Sequence, residues 1–167
     1  MRGLARAGWL ALVTAIAFAA PAAADESTSP VVLRWLETLP VGQAVVDTGE
    51  ARHAFTVWVA STPWQKAHGL MHVKSLAPDR GMLFLLGEPQ YASFWMHNTF
   101  VALDLVFIGE DGRIVNIVER AEPLTTTPRL STAPVTRVLE IAGGTAGRLG
   151  IRPGQRVEFR LSPGAAD

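Results

Sequence analysis

The sequence has no cysteine among its 167 residues. That excludes disulfides, a thiol nucleophile and any thiolate metal site, and leaves the fold to be held by its core alone. Nor is there an excess of basic charge: 15 Lys and Arg stand against 15 Asp and Glu. No Lys/Arg cluster of the kind that tracks a phosphate backbone is present, so no nucleic-acid partner is expected. The longest apolar run, from Trp9 to Ala20, holds about 12 residues, short of the roughly 20 that a membrane-spanning helix needs. The common catalytic signatures are missing too. There is no His-Glu-x-x-His and no Gly-x-Ser-x-Gly, and Gly143-Gly144-Thr145 lacks the spacing and Lys-Ser/Thr pair of a phosphate-binding loop. No cofactor is expected.

What is present begins with a leader. Arg2 and Arg6 precede the apolar run, which ends in Ala22-Ala23-Ala24 before Asp25. This is the layout of a secretory signal peptide, residues 1–24, cleaved after Ala24. With those two arginines gone, 13 basic residues face 15 acidic ones. A polar linker follows over 25–30, then one domain over 31–161 and a frayed tail over 162–167. A periplasmic or secreted, monomeric protein is expected, with no membrane span after cleavage.

Within the domain the pattern has period two. Phe55, Val57 and Val59 share one face of "AFTVWVA", and Val157, Phe159 and Leu161 share one face of "VEFRL". "GMLFLLG" reads as a buried strand, "VTRVLEI" as another, and "ALDLVFIGEDGRIVNIVER" as a hairpin turning at Asp111-Gly112. Two short helices interrupt the strands: one capped by Ser61 or Thr62 with Pro63 in its first turn and Gly69 as its stop, one starting near Thr145 and ending at Gly150. The expected class is a mainly β domain, a sandwich or barrel with small helices at its rim. Loop 121–134, with three prolines and no periodicity, is long enough to serve as a cover over a site or as a plain connector.

The candidate chemistry centres on "FWMHNTFVALDLVF", residues 94–107. Asp104 shares a strand face with Val106 and Ile108, while Leu103, Leu105 and Phe107 form the other. A carboxylate in such a strand must be hydrogen-bonded, paired or neutral. One reading has Asp104 accepting backbone N–H groups of the Asn98-Thr99 turn as a structural lock; the other makes it a general base or acid at a pocket floor. Trp95 and His97 lie on one side of their segment, opposite Phe94 and Met96, and could line a pocket with Asn98. Glu140, on a strand face with Thr136 and Val138, is a second catalytic candidate, either paired with Asp104 as in glycosidases or ion-paired with an arginine. Met71, His72, Met96 and His97 offer thioether and imidazole groups that suit copper, although methionines among apolar neighbours also fill cores.

Taken in order, "HGLMHVKSL", "RGMLFLL", "SFWMHNTFVALDLVFIGEDGRIV", "VLEIAGG" and "LGIRPGQRVEF" resemble the family known as domain of unknown function 192, over about residues 53–161. The resemblance implies a single compact β domain of sandwich type, often exported from bacteria, with no established activity. The motif positions fall on Gly69, Leu70, Met71, Gly81, Met82, Phe94, Trp95, Met96, Asn98, Thr99, Leu103 and Asp104. His97 stands where a basic residue, often Lys, is common, and Ala102 where Pro is common.

Three functional readings follow. The first is a non-catalytic module for a small polar ligand, glycan or peptide, or for an envelope partner, using Trp95, His97, Asn98 and Asp104. The second is a hydrolase or lyase with Asp104 as base, helped by His97 or Glu140. The third is copper handling through the Met/His pairs.

Overall fold

The computed structural model describes residues 30–163. The signal peptide, most of the linker and the last four residues of the tail lie outside that range. Pro30, expected at the end of the linker, opens the first helix, α1 (Pro30–Glu37). The chain then runs through β1 (Val41–Asp47), β2 (Arg52–Ala60), α2 (Pro63–His68), β3 (Arg80–Gln90), β4 (Ser93–Phe94), β5 (Leu103–Ile108), β6 (Ile114–Ala121), β7 (Arg129–Leu130), β8 (Val135–Ala142), α3 (Thr145–Leu149) and β9 (Arg156–Leu161).

Seven strands form one sheet in the order β6-β5-β8-β3-β2-β1-β9, and β4 pairs with β7 in a small second ladder. Every neighbouring pair in the large sheet is antiparallel except β2 and β3. A parallel pair requires a crossover connection, and here residues 61–79, including α2, provide it. The sheet curls until its two edges meet at one end, where Arg113 bridges Arg156 and the Ile114 N–H reaches the Gln155 carbonyl at 2.9 Å. The mainly β class expected from the sequence is therefore realised as a half-barrel, and the described residues hold one helix more than the two expected.

The period-two pattern sorts side chains onto two faces. Val46, Phe55, Val57, Leu83, Val106, Ile108, Leu139, Ile141 and Val157 form one buried cluster. It joins β9 to β5 across the curl, so this face is the inside of the half-barrel. The other face carries Met82, Phe84, Leu103, Leu105, Phe107 and Val138, and is covered by Leu36, Leu39, Leu70 and Met96 from helices and loops. β5 is buried along its whole length because it is packed on both faces. Fully burying side chains such as Phe84 or Leu105 stabilises the fold by about 2–3 kcal/mol each.

Local signals are met in detail at α2. Thr62 caps it, its hydroxyl accepting the Gln65 N–H while the Gln65 side chain returns to the Thr62 amide, and Gly69 ends it at φ 53°. The β5–β6 turn closes at Gly112, φ 77°, as Asp-Gly foretold. Among the described residues, no helix is long and apolar enough to cross a membrane.

Candidate functional site

A cavity of about 330 Å³ opens on the helix-bearing face, where α2, the end of β3, the segment 90–99 and β8 meet. Its lining includes Lys66, His68, Met71, Phe84, Gln90, Tyr91, Trp95, His97, Thr99 and Glu140.

Glu140 is the unusual member. Strand alternation puts it on the outer face of the half-barrel, between Met82 of β3 and Leu105 of β5. Its side chain therefore enters the apolar layer of Met82, Phe84 and Leu105, and the residue is only 4% exposed. Among the described residues no ion pair or side-chain hydrogen bond reaches it, so the arginine partner considered above is not there. A buried charge with no partner is costly, and the group takes up a proton instead. Burial pushes its pKa up to about 8, which leaves a neutral carboxylic acid at the base of the cavity at pH 7.

The walls come from two local segments. On α2, His68 stacks on Trp64 at 5.3 Å and meets Trp35 edge-on at 4.9 Å. Burial, and then the nearby His72, lower the His68 pKa. Lys66 reaches over the cavity edge, its Nζ donating to the Leu85 carbonyl at 3.1 Å. In the segment 93–97, side chains alternate: Met96 is fully buried and Phe94 packs on the core, while Trp95 is 55% exposed. Trp95 and His97 lie together with ring centroids 5.6 Å apart. Trp95 also walls a second cavity of about 260 Å³, with Ser93, Phe94, Thr126 and Pro128.

Loop 121–134 does not stand free above this site. The Met96 amide donates to the Thr125 carbonyl, the Leu124 amide to Thr99 and the Ser131 amide to Ala92. With the β4–β7 ladder, these bonds fasten the loop along the segment 92–99. The Asn116 side chain holds it from the other side, donating to the Leu130 carbonyl and accepting the Thr132 amide.

Of the four residues expected to line a pocket, Trp95 and His97 do so. Asp104 does not: it is fully buried on the inner face, and both its oxygens are occupied. Oδ1 accepts the amides of Arg120 at 2.7 Å and Gly144 at 2.8 Å, and Oδ2 accepts that of Ala146 at 2.7 Å. The lock is real in kind, but its donors come from the β6 end and the start of α3 rather than from the Asn98-Thr99 turn. Gly144 makes no side-chain cap for α3, and Asp104 supplies one from a distant strand. Asn98 also lies outside the cavity lining. It sits at φ 54°, and its carbonyl accepts the amide of His72, itself at φ 65°.

Asp104 and Glu140 project from opposite faces of the sheet, since Asp104 pairs with Ile141 and Glu140 with Leu105. They do not form a glycosidase-like pair. The Met/His pairs are divided among cavity, core and surface. Met71 and His97 line the cavity, Met96 is core, and His72 points its ring at Phe100, 6.1 Å away. Among the described residues no group of three or more His, Asp and Glu is placed to hold a metal ion.

Nothing in the sequence marks Lys66, Gln90 or Tyr91 as cavity-lining residues. His68 carried a signal, four positions from Trp64 on one helix face. Tyr91, the single tyrosine, had only its solitude.

Residues 44–159 match the family model for domain of unknown function 192, described as Uncharacterized ACR, COG1430. No curated protein matches. Two crystal structures are similar at 40% identity. One, from Sinorhizobium meliloti 1021, is described as a candidate transcription regulator; the match covers 72% of this chain and 95% of that one, with a TM-score of 0.71. The other, from Novosphingobium aromaticivorans DSM 12444, is a protein of unknown function; the match covers 84% of this chain and 94% of that one, with a TM-score of 0.72. With its motifs in order over most of its length, the chain belongs to the domain of unknown function 192 family.

Proposed function

We propose that the protein is a binding module for a small polar ligand, held in the cavity above Glu140. The observation that carries this reading is the unpartnered carboxyl, 4% exposed, in a cavity that also presents Lys66, His97 and Gln90. Buried polar groups are normally satisfied within the protein; one that faces an opening is best satisfied by what enters. Exposed aromatics beside a few convergent polar groups are the composition of small-molecule sites.

The regulator description of the Sinorhizobium relative is not carried over, because acidic and basic residues balance in this chain and no basic face is evident in its sequence. Residues 1–24 support a site of action outside the cytoplasm. Intact-mass analysis of protein recovered from the periplasm tests that: the chain should begin at Asp25.

Ligand-observed NMR with a fragment library tests the binding role. Fragments should bind the wild type and lose binding in Glu140→Gln and His97→Ala. A library whose hits are indifferent to both changes would sink the reading.

The same carboxyl supports a second reading, as a general acid. A group protonated at neutral pH and poised to release its proton near pH 8 is suited to donating to a leaving group. In that case Glu140→Gln should keep ligand and lose turnover. This reading makes no use of Asp104, whose oxygens already accept three backbone amides.

A further inference from the structure

We propose that the ligand is a linear glycan that crosses Trp95, with one sugar unit above Glu140 and the next between Ser93 and Thr126. This rests on the cavity being a binding site and names what fills it.

The first ground is continuity. The two cavities, about 330 and 260 Å³, share Ser93, Phe94 and Trp95 as a common wall, and Trp95 projects 55% exposed from it. Two neighbouring compartments that share this wall suit a ligand made of linked units better than one compact molecule.

The second is chemistry. Tyr91 and Trp95 are 71% and 55% exposed at the rim, and large aromatic surfaces of this kind pack against the C–H face of a pyranose ring. Glu140 below is a neutral acid that both donates and accepts. A sugar hydroxyl does the same, so the pair is complementary. A cationic ligand would meet Lys66 on the same lining, and a neutral acid offers it no charge.

The third ground weighs against a peptide bound as an added strand. A common mode for an extended peptide is to add a strand to an open edge. The amide and carbonyl of Ala92 are bonded to Ser131, and the Met96 amide to Thr125, each at 2.9 Å. The segment that walls both cavities therefore has these backbone groups taken by loop 121–134, and recognition falls to side chains.

Calorimetric titration of the purified protein with β-1,4-, α-1,4- and β-1,3-linked trisaccharides, their monosaccharides, and alanine and lysine tripeptides tests this. At least one trisaccharide should bind ten times or more tighter than its monosaccharide. Trp95→Ala should weaken it at least tenfold with the melting temperature unchanged. Thr126→Trp, which fills the second cavity, should reduce the trisaccharide to the affinity of the monosaccharide. Equal binding of trisaccharide and monosaccharide, or indifference to Thr126→Trp, overturns the crossing at Trp95. Binding of tripeptides alone overturns the glycan. If no saccharide binds while fragments still bind in a manner sensitive to Glu140→Gln, the glycan falls and the cavity reading stands; silence from both removes the two together.

Discussion

Oδ2 of Asp104 accepts the amide of Ala146 at 2.7 Å, joining the start of β5 to the first turn of α3. The Oδ1 atom binds Gly144 just before that turn and Arg120 at the end of β6. One side chain thus fixes three separate stretches of chain where the half-barrel would otherwise leave amides unpaired.

Asp104→Asn follows from this geometry. The amide nitrogen cannot accept, so at least one backbone N–H is left without a partner in a buried place. The expected loss is about 2–3 kcal/mol, read as a lower urea midpoint, with the protein still folded and the cavity still binding. Asp104→Ala should cost more, because three amides are stranded. An unchanged midpoint in Asp104→Asn would remove the lock.

Glu140 gives the protein a pH dependence of defined sign. The folded carboxyl holds its proton up to about pH 8, against an ordinary value of 4.5. Between these limits the folded state binds more protons than the unfolded one. Stability from this group is full below about pH 4.5 and is lost as pH rises through 8, by an amount on the order of a few kcal/mol. Glu140→Gln should flatten the profile and exceed the wild type in stability at pH 9. Urea titrations across pH 5–9 check this; parallel profiles would contradict it.

Gly81 is placed by close approach. A Cβ there would overlap the backbone carbonyl oxygen of Glu140 on the adjacent strand. Gly81→Ala should force β3 away from β8 and cost about 3 kcal/mol. Because Glu140 moves with the strand, ligand affinity should fall as well. A variant as stable as the wild type would contradict the packing.

Met96 separates core from copper. It is fully buried in the outer apolar cluster, so Met96→Leu, a nearly volume-conserving change, should alter stability by less than about 1.5 kcal/mol. Native mass spectra after Cu(I) loading should be the same for both proteins. A stoichiometric adduct lost in Met96→Leu would restore the metal reading.

The parts legible in the sequence are those with local causes. Phe55, Val57 and Val59 alternate and are all buried; Thr62 and Gln65 make their capping box; Gly150 stops α3 at φ 68°. α1 and β1 were less legible. α1 has eight residues, barely two turns of periodicity, and Gly42 and Gln43 blur the alternation of β1. The lock at Asp104 could be anticipated, since a buried carboxylate needs donors, but its donors lie 16, 40 and 42 positions away. Trp95 and His97 were found because a short segment alternates. Glu140 reads in the sequence as one acid in a strand, a catalytic candidate without a visible setting; the cavity over it comes from the packing of α2 and the segment 90–99.

The curl of the sheet has a consequence for how copies of the chain meet one another. An exposed strand edge is a template for a strand from a neighbour, and a protein without disulfides has no covalent restraint on opening one. Here the two edges, β6 and β9, bridge at Arg113 and Arg156. Beyond the bridge, β9 exposes Glu158 and Arg160, while β6 exposes Glu119 and Arg120. A second copy docking in parallel register would set like charges side by side. The half-barrel thereby carries its own guard against strand-to-strand aggregation, written in the charges of its two outermost strands.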